Sequence, residues 1–328
     1  MYLFRFAYSI IQQTAHILSS RKKEIIWATA FIRSLENSYN GQLDDFTFKK
    51  ITHRYAVYNP MMCDAFTSLQ SRYTNRQERE RMLLYFICSV LFDDFSDEQQ
   101  LTKDELYRIS FEPETWQAST IQEKIFLYAH GALADYVSDK NAYRQVTQQL
   151  YDAQIASAQQ FDPAISQDTL HRITFDKGGF AVLLCHFYLD HEAGEAERNC
   201  WYQIGTMIQL TNDIYDIHKD LQQGLITLPN SITNAYTFND FFRQLVAQLK
   251  AEIHQLPFPV AAKQQFMISM MGMCSLGQLG IKRLMQLQGN QEKLPDLRIV
   301  PRKRLIVDME NPANLWRCVR QVYRDAKF

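Results

Sequence analysis

The sequence predicts an all-α fold, and three observations support that prediction. Glycine and proline are scarce, 11 and 9 among 328 residues, so few positions interrupt a helix. Apolar residues recur at intervals of three and four over long segments, which is the period of a helix with one buried face. No segment shows the sustained apolar–polar alternation of a half-buried strand. Since neither a linker nor an internal repeat divides the chain, we expect one domain spanning residues 1–328.

The predicted helices lie between connections marked by proline. The first segment, residues 1–19, is apolar but broken by polar side chains, and no small-residue cleavage site follows it. It therefore predicts a packing helix, and neither a signal peptide nor a membrane span. Six later segments share the helical period: Ile121–Val137, Tyr143–Gln159, Gly179–Asp190, Cys200–Leu221, Phe238–Ile253 and Lys263–Gln288.

Two of the later segments have unusual compositions. Lys263–Gln288 combines a methionine stripe with Gly272, Gly277 and Gly280, which indicates either adaptable core packing or a wall held close to a ligand or a neighbouring helix. The stretch from Gln288 to Glu310 has little helical pattern and is rich in Lys and Arg. It predicts either a solvated loop or a lid that meets an anionic ligand.

Composition limits the classes of function. Hydrophobic residues make up 46% of the chain and aromatic residues 13%, enough for a large core and an apolar pocket. The formal net charge of −1 provides no overall field to attract nucleic acid or an anionic membrane, so we expect no nucleic-acid partner. Six scattered cysteines without a CxxC pair are typical of reduced core thiols, and they predict a cytoplasmic location.

Two short acidic motifs carry the chemistry, and the first ends an apolar run. Asp93-Asp94-Phe95-Ser96-Asp97 follows the segment Met82–Phe92, in which Ser89 is the one polar residue. On a helix, Asp93 and Asp97 lie one turn apart on the same face, and Asp94 lies beside them. Like charges at that spacing destabilise a helix, so the motif predicts either a solvated helix end or a site that binds a cation.

The second motif, Asn212 to Asp220, follows the apolar run Cys200–Leu210. Asn212, Asp216 and Asp220 recur every four residues, so their side-chain oxygens line one helix face over two turns. An amide and two carboxylates can chelate one Mg²⁺ and leave positions open for phosphate oxygens, with Lys219 alongside as a phosphate donor. If the two motifs face each other across a cavity, they form a cage for several Mg²⁺ ions and a polyphosphate.

These motifs resemble those of class I isoprenoid synthases. The first resembles their DDxxD box, and the second resembles the NDxxSxxKE box of terpene synthases, with Asp216 and Asp220 where that family has Ser or Thr and Glu. The segment Gln209–Pro229 also resembles the second motif of squalene and phytoene synthases, including its downstream Leu-Pro. The resemblance implies a helical bundle around a central apolar cavity, with about three Mg²⁺ ions held by Asp93, Asp94, Asp97, Asn212, Asp216 and Asp220, of which all but Asp94 are expected catalytic residues.

The resemblance also implies a substrate, a linear prenyl diphosphate that loses its diphosphate to give a terpene hydrocarbon or alcohol. The expected diphosphate contacts are Arg172, where the family keeps a sensing arginine, and Lys177, Lys219 and Tyr323. Lys177 belongs to Asp176–Phe180, which matches the family's break in a central helix, and its two glycines predict either a local unwinding or a plain helix end. The small residues Cys88 and Ser89 beside the first motif indicate a prenyl chain of C15 or longer.

Three reactions and one non-catalytic alternative remain open. Cyclisation of one prenyl diphosphate fits best, because of the long N-terminal region and the Asn/Asp/Asp spacing. Head-to-head condensation is favoured by Gln209–Pro229, although no arginine precedes the first motif by one turn. Chain elongation fits least, since no arginine pair follows that motif. A helical scaffold without catalytic activity is the remaining alternative, and assembly as a homodimer is a further expectation.

Overall fold

The computed structural model describes residues 3–97, 100–309 and 311–327, and for Leu3 and Arg5 it describes the backbone alone. The described residues form α-helices joined by short turns and contain no β-strand, which confirms the predicted all-α class. The helices are α1 (Leu3–Ser38), α2 (Asp45–Tyr58), α3 (Asp64–Ser68), α4 (Arg76–Asp97), α5 (Lys103–Phe111), α6 (Ile121–Tyr136), α7 (Lys140–Ala156), α8 (Gln167–Leu184), α9 (Glu195–Gln222), α10 (Ala235–Gln255), α11 (Val260–Gln288), α12 (Arg302–Leu305) and α13 (Pro312–Asp325).

Most predicted helical segments coincide with these helices. Helix α6 begins at Ile121 as predicted, because the Thr120 side chain caps it by accepting a hydrogen bond from the Glu123 backbone amide. Helix α8 differs from its prediction. It begins at Gln167, where Ser166 is the cap, and continues without interruption to Leu184.

The chain divides into two compact units. The N-terminal unit comprises Ile10–Arg144 and Phe187–Glu192, and within it α4 packs against α2 and α6. Apolar side chains of α4 are completely buried in this unit: Met82, Leu83, Ile87, Val90 and Leu91. Their burial fixes the rotation of α4 and therefore the directions in which the first acidic motif, at the end of the helix, can point.

The C-terminal unit comprises Met1–Ser9, Gln145–His186 and Ala193–Phe328. Its central element is α9, which packs against α8, α10 and α11. One stripe of α9 is buried in the core at intervals of three and four residues: Trp201, Ile204, Met207, Leu210, Ile214 and Ile217. The second acidic motif occupies the last turns of this same helix.

A close approach of α8 and α9 explains the paired glycines of α8. A Cβ atom on Gly205 would lie 2.1 Å from the Gly178 carbonyl oxygen, and one on Gly178 would lie 2.5 Å from the Gly205 oxygen. The backbones of the two helices are thus in direct contact, which only glycine permits. The predicted unwinding or helix end at Gly178-Gly179 is wrong, because both residues lie inside a continuous helix.

The composition of α11 reflects core packing. Met267, Met270 and Met271 are at most 1% exposed, and a Cβ on Gly280 would lie 2.3 Å from Ile214 of α9. At Gly280, therefore, the glycine allows α11 to lie close to a neighbouring helix, as one of the two interpretations of this segment predicted. All six cysteines are free and buried, as core thiols were expected to be. Within the described part of the chain, no helix has an apolar stretch long enough to cross a lipid bilayer.

Candidate carboxylate site on helices α8 and α9

Three carboxylates share one face of α9 near its C-terminal end. Asp213 and Asp220 are buried, with 8% and 5% of their surface exposed, whereas the Asp216 side chain between them is half exposed. Seven residues, close to two helical turns, separate the two buried groups, so they lie above one another on the same face. This face turns towards α8, against which α9 packs most extensively.

Polar groups from both helices hold the Asp213 carboxylate. The Gln209 side-chain amide donates to Asp213 Oδ1 at 2.8 Å, and the Thr174 hydroxyl of α8 donates to Oδ2 at 3.5 Å. Two turns closer to the start of α9 than Gln209, the Tyr202 hydroxyl donates to Asp176 Oδ1 at 2.7 Å. The α8–α9 interface therefore continues as a polar layer on either side of the glycine contact.

Burial and mutual repulsion leave the cluster with more negative charge than its surroundings compensate. Burial raises the pKa of Asp213 to about 6, although the Gln209 hydrogen bond and the Lys177 charge oppose the rise. Burial also raises the pKa of Asp220 to about 7, and the charges of Asp213 and Asp216 add to the rise. A bound cation would relieve both effects, because it favours the ionised carboxylates.

The predicted ligands of the second motif differ in accessibility. Asn212 and Asp216 are exposed and Asp220 is buried. Lys219 Nζ lies 3.8 Å from Asp216 Oδ2, and both side chains are largely in solvent. An amide oxygen and two carboxylates on successive turns suit a hard cation such as Mg²⁺, so the residues present fit the predicted ion.

The other predicted diphosphate contacts lie on α8 and α13. Lys177 is half-buried, and its charge acts on both Asp213 and Asp220. Arg172 is exposed on the same helix and forms no hydrogen bond or ion pair with a described residue. Tyr323 on α13 packs edge-on against Phe6 at 5.0 Å between ring centroids. Of the three, Lys177 is therefore the residue whose charge the structure couples to the carboxylates.

The first motif has different surroundings. Asp94 is buried, and it accepts hydrogen bonds from Lys50 Nζ at 2.5 Å and Thr47 Oγ1 at 3.0 Å. Asp93 accepts from Arg54 Nη1 at 3.0 Å. Asp97 ends α4 and is exposed. Two of the three carboxylates are thus paired with cations of α2, inside the N-terminal unit.

Sequence reasoning missed part of this arrangement. It did not assign Asp213 or Thr174 to the site, and it did not find Lys50 and Arg54. The seven-residue spacing of Asp213 and Asp220 was the available signal for the first, whereas nothing in the α2 sequence marks Lys50 as the partner of Asp94. Among the described residues, no group of three or more His, Cys, Asp and Glu side chains is arranged to hold a metal ion. The ligand set predicted on α9 is of a different kind, because one of its three members, Asn212, is an amide and only Asp216 and Asp220 are carboxylates.

Family models and curated proteins were compared with the sequence. No protein-family model matches the chain. No curated protein matches it either.

Proposed function

We propose that this protein is a Mg²⁺-dependent class I isoprenoid synthase that ionises a linear prenyl diphosphate of C15 or longer and cyclises it. The observation that carries the proposal is the uncompensated carboxylate cluster of α9, in which burial and repulsion raise the pKa of Asp213 to about 6 and that of Asp220 to about 7. When its carboxylates are ionised, such a cluster destabilises the fold, and a bound cation would offset that cost.

Each residue has a specific part in the proposed reaction. Asn212, Asp216 and Asp220 would hold Mg²⁺, which supplies Lewis-acid stabilisation of the departing diphosphate. The charges of Lys177 and Lys219 act on Asp220, so these two residues would stabilise the negative charge that develops on the leaving group. Gln209 and Thr174 hold Asp213 in place by hydrogen bonds.

The deciding experiment is incubation of the purified protein with C10, C15, C20 and C25 prenyl diphosphates and Mg²⁺, followed by extraction and product analysis. We expect release of inorganic diphosphate and a terpene from a substrate of C15 or longer, and no turnover in EDTA. Full turnover in EDTA would contradict the metal-dependent mechanism. If no substrate is consumed and Mg²⁺ with diphosphate leaves the melting temperature unchanged, the chain is a helical scaffold.

Head-to-head condensation is the second candidate, and the segment after α9 favours it. Thr227, Leu228 and Pro229, within the part that resembles squalene and phytoene synthases, are buried. The Asn230 side chain and Gln160 fix this segment through hydrogen bonds. A C30 hydrocarbon from C15 diphosphate would establish this reaction in place of cyclisation.

A further inference from the structure

Positive charge is concentrated in one segment of the C-terminal unit. Between Arg298 and Arg324 the sequence has seven basic and two acidic residues, although the whole chain has a formal net charge of −1. Arg298 is paired with Asp296. The other six basic residues are exposed, and none forms an ion pair with a described residue: Arg302, Lys303, Arg304, Arg317, Arg320 and Arg324.

Large apolar side chains are exposed beside these cations. Ile306, which directly follows α12, is 36% exposed, and Leu315 and Trp316 in the first turns of α13 are 49% and 68% exposed. The rest of α13 is amphipathic in the usual way, with Cys318 and Val322 buried. Trp316 lies outside this packed face, whereas Leu315 continues the stripe of Cys318 and Val322 into the first turn, where it is half exposed.

Hydrogen bonds bring the two helices and their connection together. The Asn314 side chain of α13 donates to the Asp308 carbonyl oxygen at 2.7 Å, which ties the connection after Ile306 to the start of α13. Two consecutive residues of α11, Lys282 and Arg283, form hydrogen bonds with α13 and α12. Lys282 Nζ donates to Gln321 Oε1 at 2.9 Å, and Arg283 Nε donates to the Arg304 carbonyl oxygen at 2.8 Å. The two cationic helices thus pack against the same part of α11, and Ile306 lies in the connection between them.

We propose that this surface, formed by α12, Ile306 and the exposed side of α13, docks on an anionic lipid bilayer. Its six free cations complement acidic headgroups. Tryptophan prefers the membrane interface, and Ile306 can enter the boundary of the acyl chains. An acidic protein or a nucleic acid would require the cations but would leave Trp316 and Ile306 in water. The inference does not depend on the proposed enzymatic function.

A second surface, on α1, has a partly similar composition and serves as a control. Arg21, Lys22 and Lys23 are exposed there, close to the exposed Leu18 and Ile26. Over its length, however, α1 has five basic and two acidic residues, and its tryptophan, Trp27, is not among the exposed large apolar side chains. We therefore expect the α12–α13 surface to dominate binding to membranes.

The test is co-sedimentation of the full chain with phosphatidylcholine vesicles, with and without phosphatidylglycerol. We expect binding to the anionic vesicles that weakens as salt is added, and little binding to the neutral vesicles. The variant with Arg302→Glu, Lys303→Glu and Arg304→Glu should lose roughly a hundredfold or more in affinity. Trp316→Ala should lose roughly tenfold. Because Trp316 is exposed, this second variant tests the proposal even if the first variant folds poorly.

The matched control changes Arg21, Lys22 and Lys23 to Glu, which alters the net charge by the same amount. It should bind anionic vesicles like the unmodified chain. Three results would overturn the proposal: an equal loss in this control, equal binding to neutral vesicles, or binding that is indifferent to Trp316→Ala and abolished by soluble polyglutamate. The last result would indicate a polyanion-binding surface for an acidic macromolecule.

Discussion

Asp94 on α4 and Asp213 on α9 are both buried carboxylates within an acidic helical motif, yet their surroundings differ in charge. Asp94 is 6% exposed and is paired with Lys50 at 2.5 Å. Asp213 is 8% exposed, and its close partners are the neutral side chains of Gln209 and Thr174. The first carboxylate therefore forms an ion pair inside its own unit, whereas burial raises the pKa of the second to about 6.

This difference shows that an acidic motif does not by itself reveal whether its charges are available to a ligand. A cation that binds at Asp93 and Asp94 must compete with Arg54 and Lys50. A cation at the α9 cluster meets less competition, because Lys177 acts there only at longer range and Lys219 lies 3.8 Å from Asp216. We therefore expect the α9 cluster to be the stronger of the two cation sites.

The largest effect should come from removing a ligand of the α9 cluster. Asn212→Ala or Asp216→Asn should reduce turnover of a prenyl diphosphate by roughly a thousandfold or more, because charge on the leaving group is no longer neutralised. The fold should remain intact, since both side chains are exposed. Activity assays beside circular dichroism would measure this, with Asp240→Asn on α10 as an exposed carboxylate control. Unchanged rates in both variants would remove these residues from the site.

The second largest effect is on the free energy of unfolding, which should differ between variants of the two motifs. Asp94→Asn should destabilise the fold by about 2–4 kcal/mol, because it leaves the largely buried Lys50 ammonium without its anion. Asp213→Asn should cost little at pH 8, since it removes a charge that burial disfavours. Urea unfolding at pH 8 would compare them. The double variant Lys50→Met/Asp94→Leu should recover much of the stability that Asp94→Asn loses. Equal losses in Asp94→Asn and Asp213→Asn would contradict the proposed difference between the two carboxylates.

The raised pKa values predict how stability depends on pH without metal. Between about pH 4 and pH 7, the unfolded chain has lost the protons of Asp213 and Asp220, while the folded chain still binds them. Since a shift of one pKa unit corresponds to about 1.4 kcal/mol, stability should fall by about 3 kcal/mol or more as pH rises through this range. Unfolding curves in EDTA would show it. Asp213→Asn/Asp220→Asn should flatten the profile, and a wild-type profile in that variant would show that other groups cause the fall.

The smallest effect is stabilisation by the cation itself. At a tenfold excess over its dissociation constant, Mg²⁺ with diphosphate should raise the free energy of unfolding by about 1.4 kcal/mol. Asp216→Asn should lose this gain, and Asp93→Asn should retain more of it. Thermal unfolding with and without Mg²⁺ would measure both. If Asp93→Asn abolished the gain completely, the first motif would be as strong a cation site as the second despite Arg54.

The α9 helix illustrates how much of the site was predictable. Its period and its apolar stripe were sufficient to place Asn212, Asp216 and Asp220 on one helical face, because helix geometry is local. The partners of that face were not predictable, since Thr174 and Lys177 belong to α8 and reach it through packing. The same limit applied to Gly178, whose role depends on Gly205 in the following helix.

The sequence alone determined the all-α class, the positions of most helices and the two acidic motifs, since these depend on residue types at short spacing. The structure decided which carboxylates are neutralised. Lys50 lies 44 residues before Asp94 in the chain and meets it only because α2 packs against α4. The charge environment of a carboxylate falls off with distance in space, and not along the sequence. Two acidic motifs that read alike therefore acquired different surroundings when the helices packed.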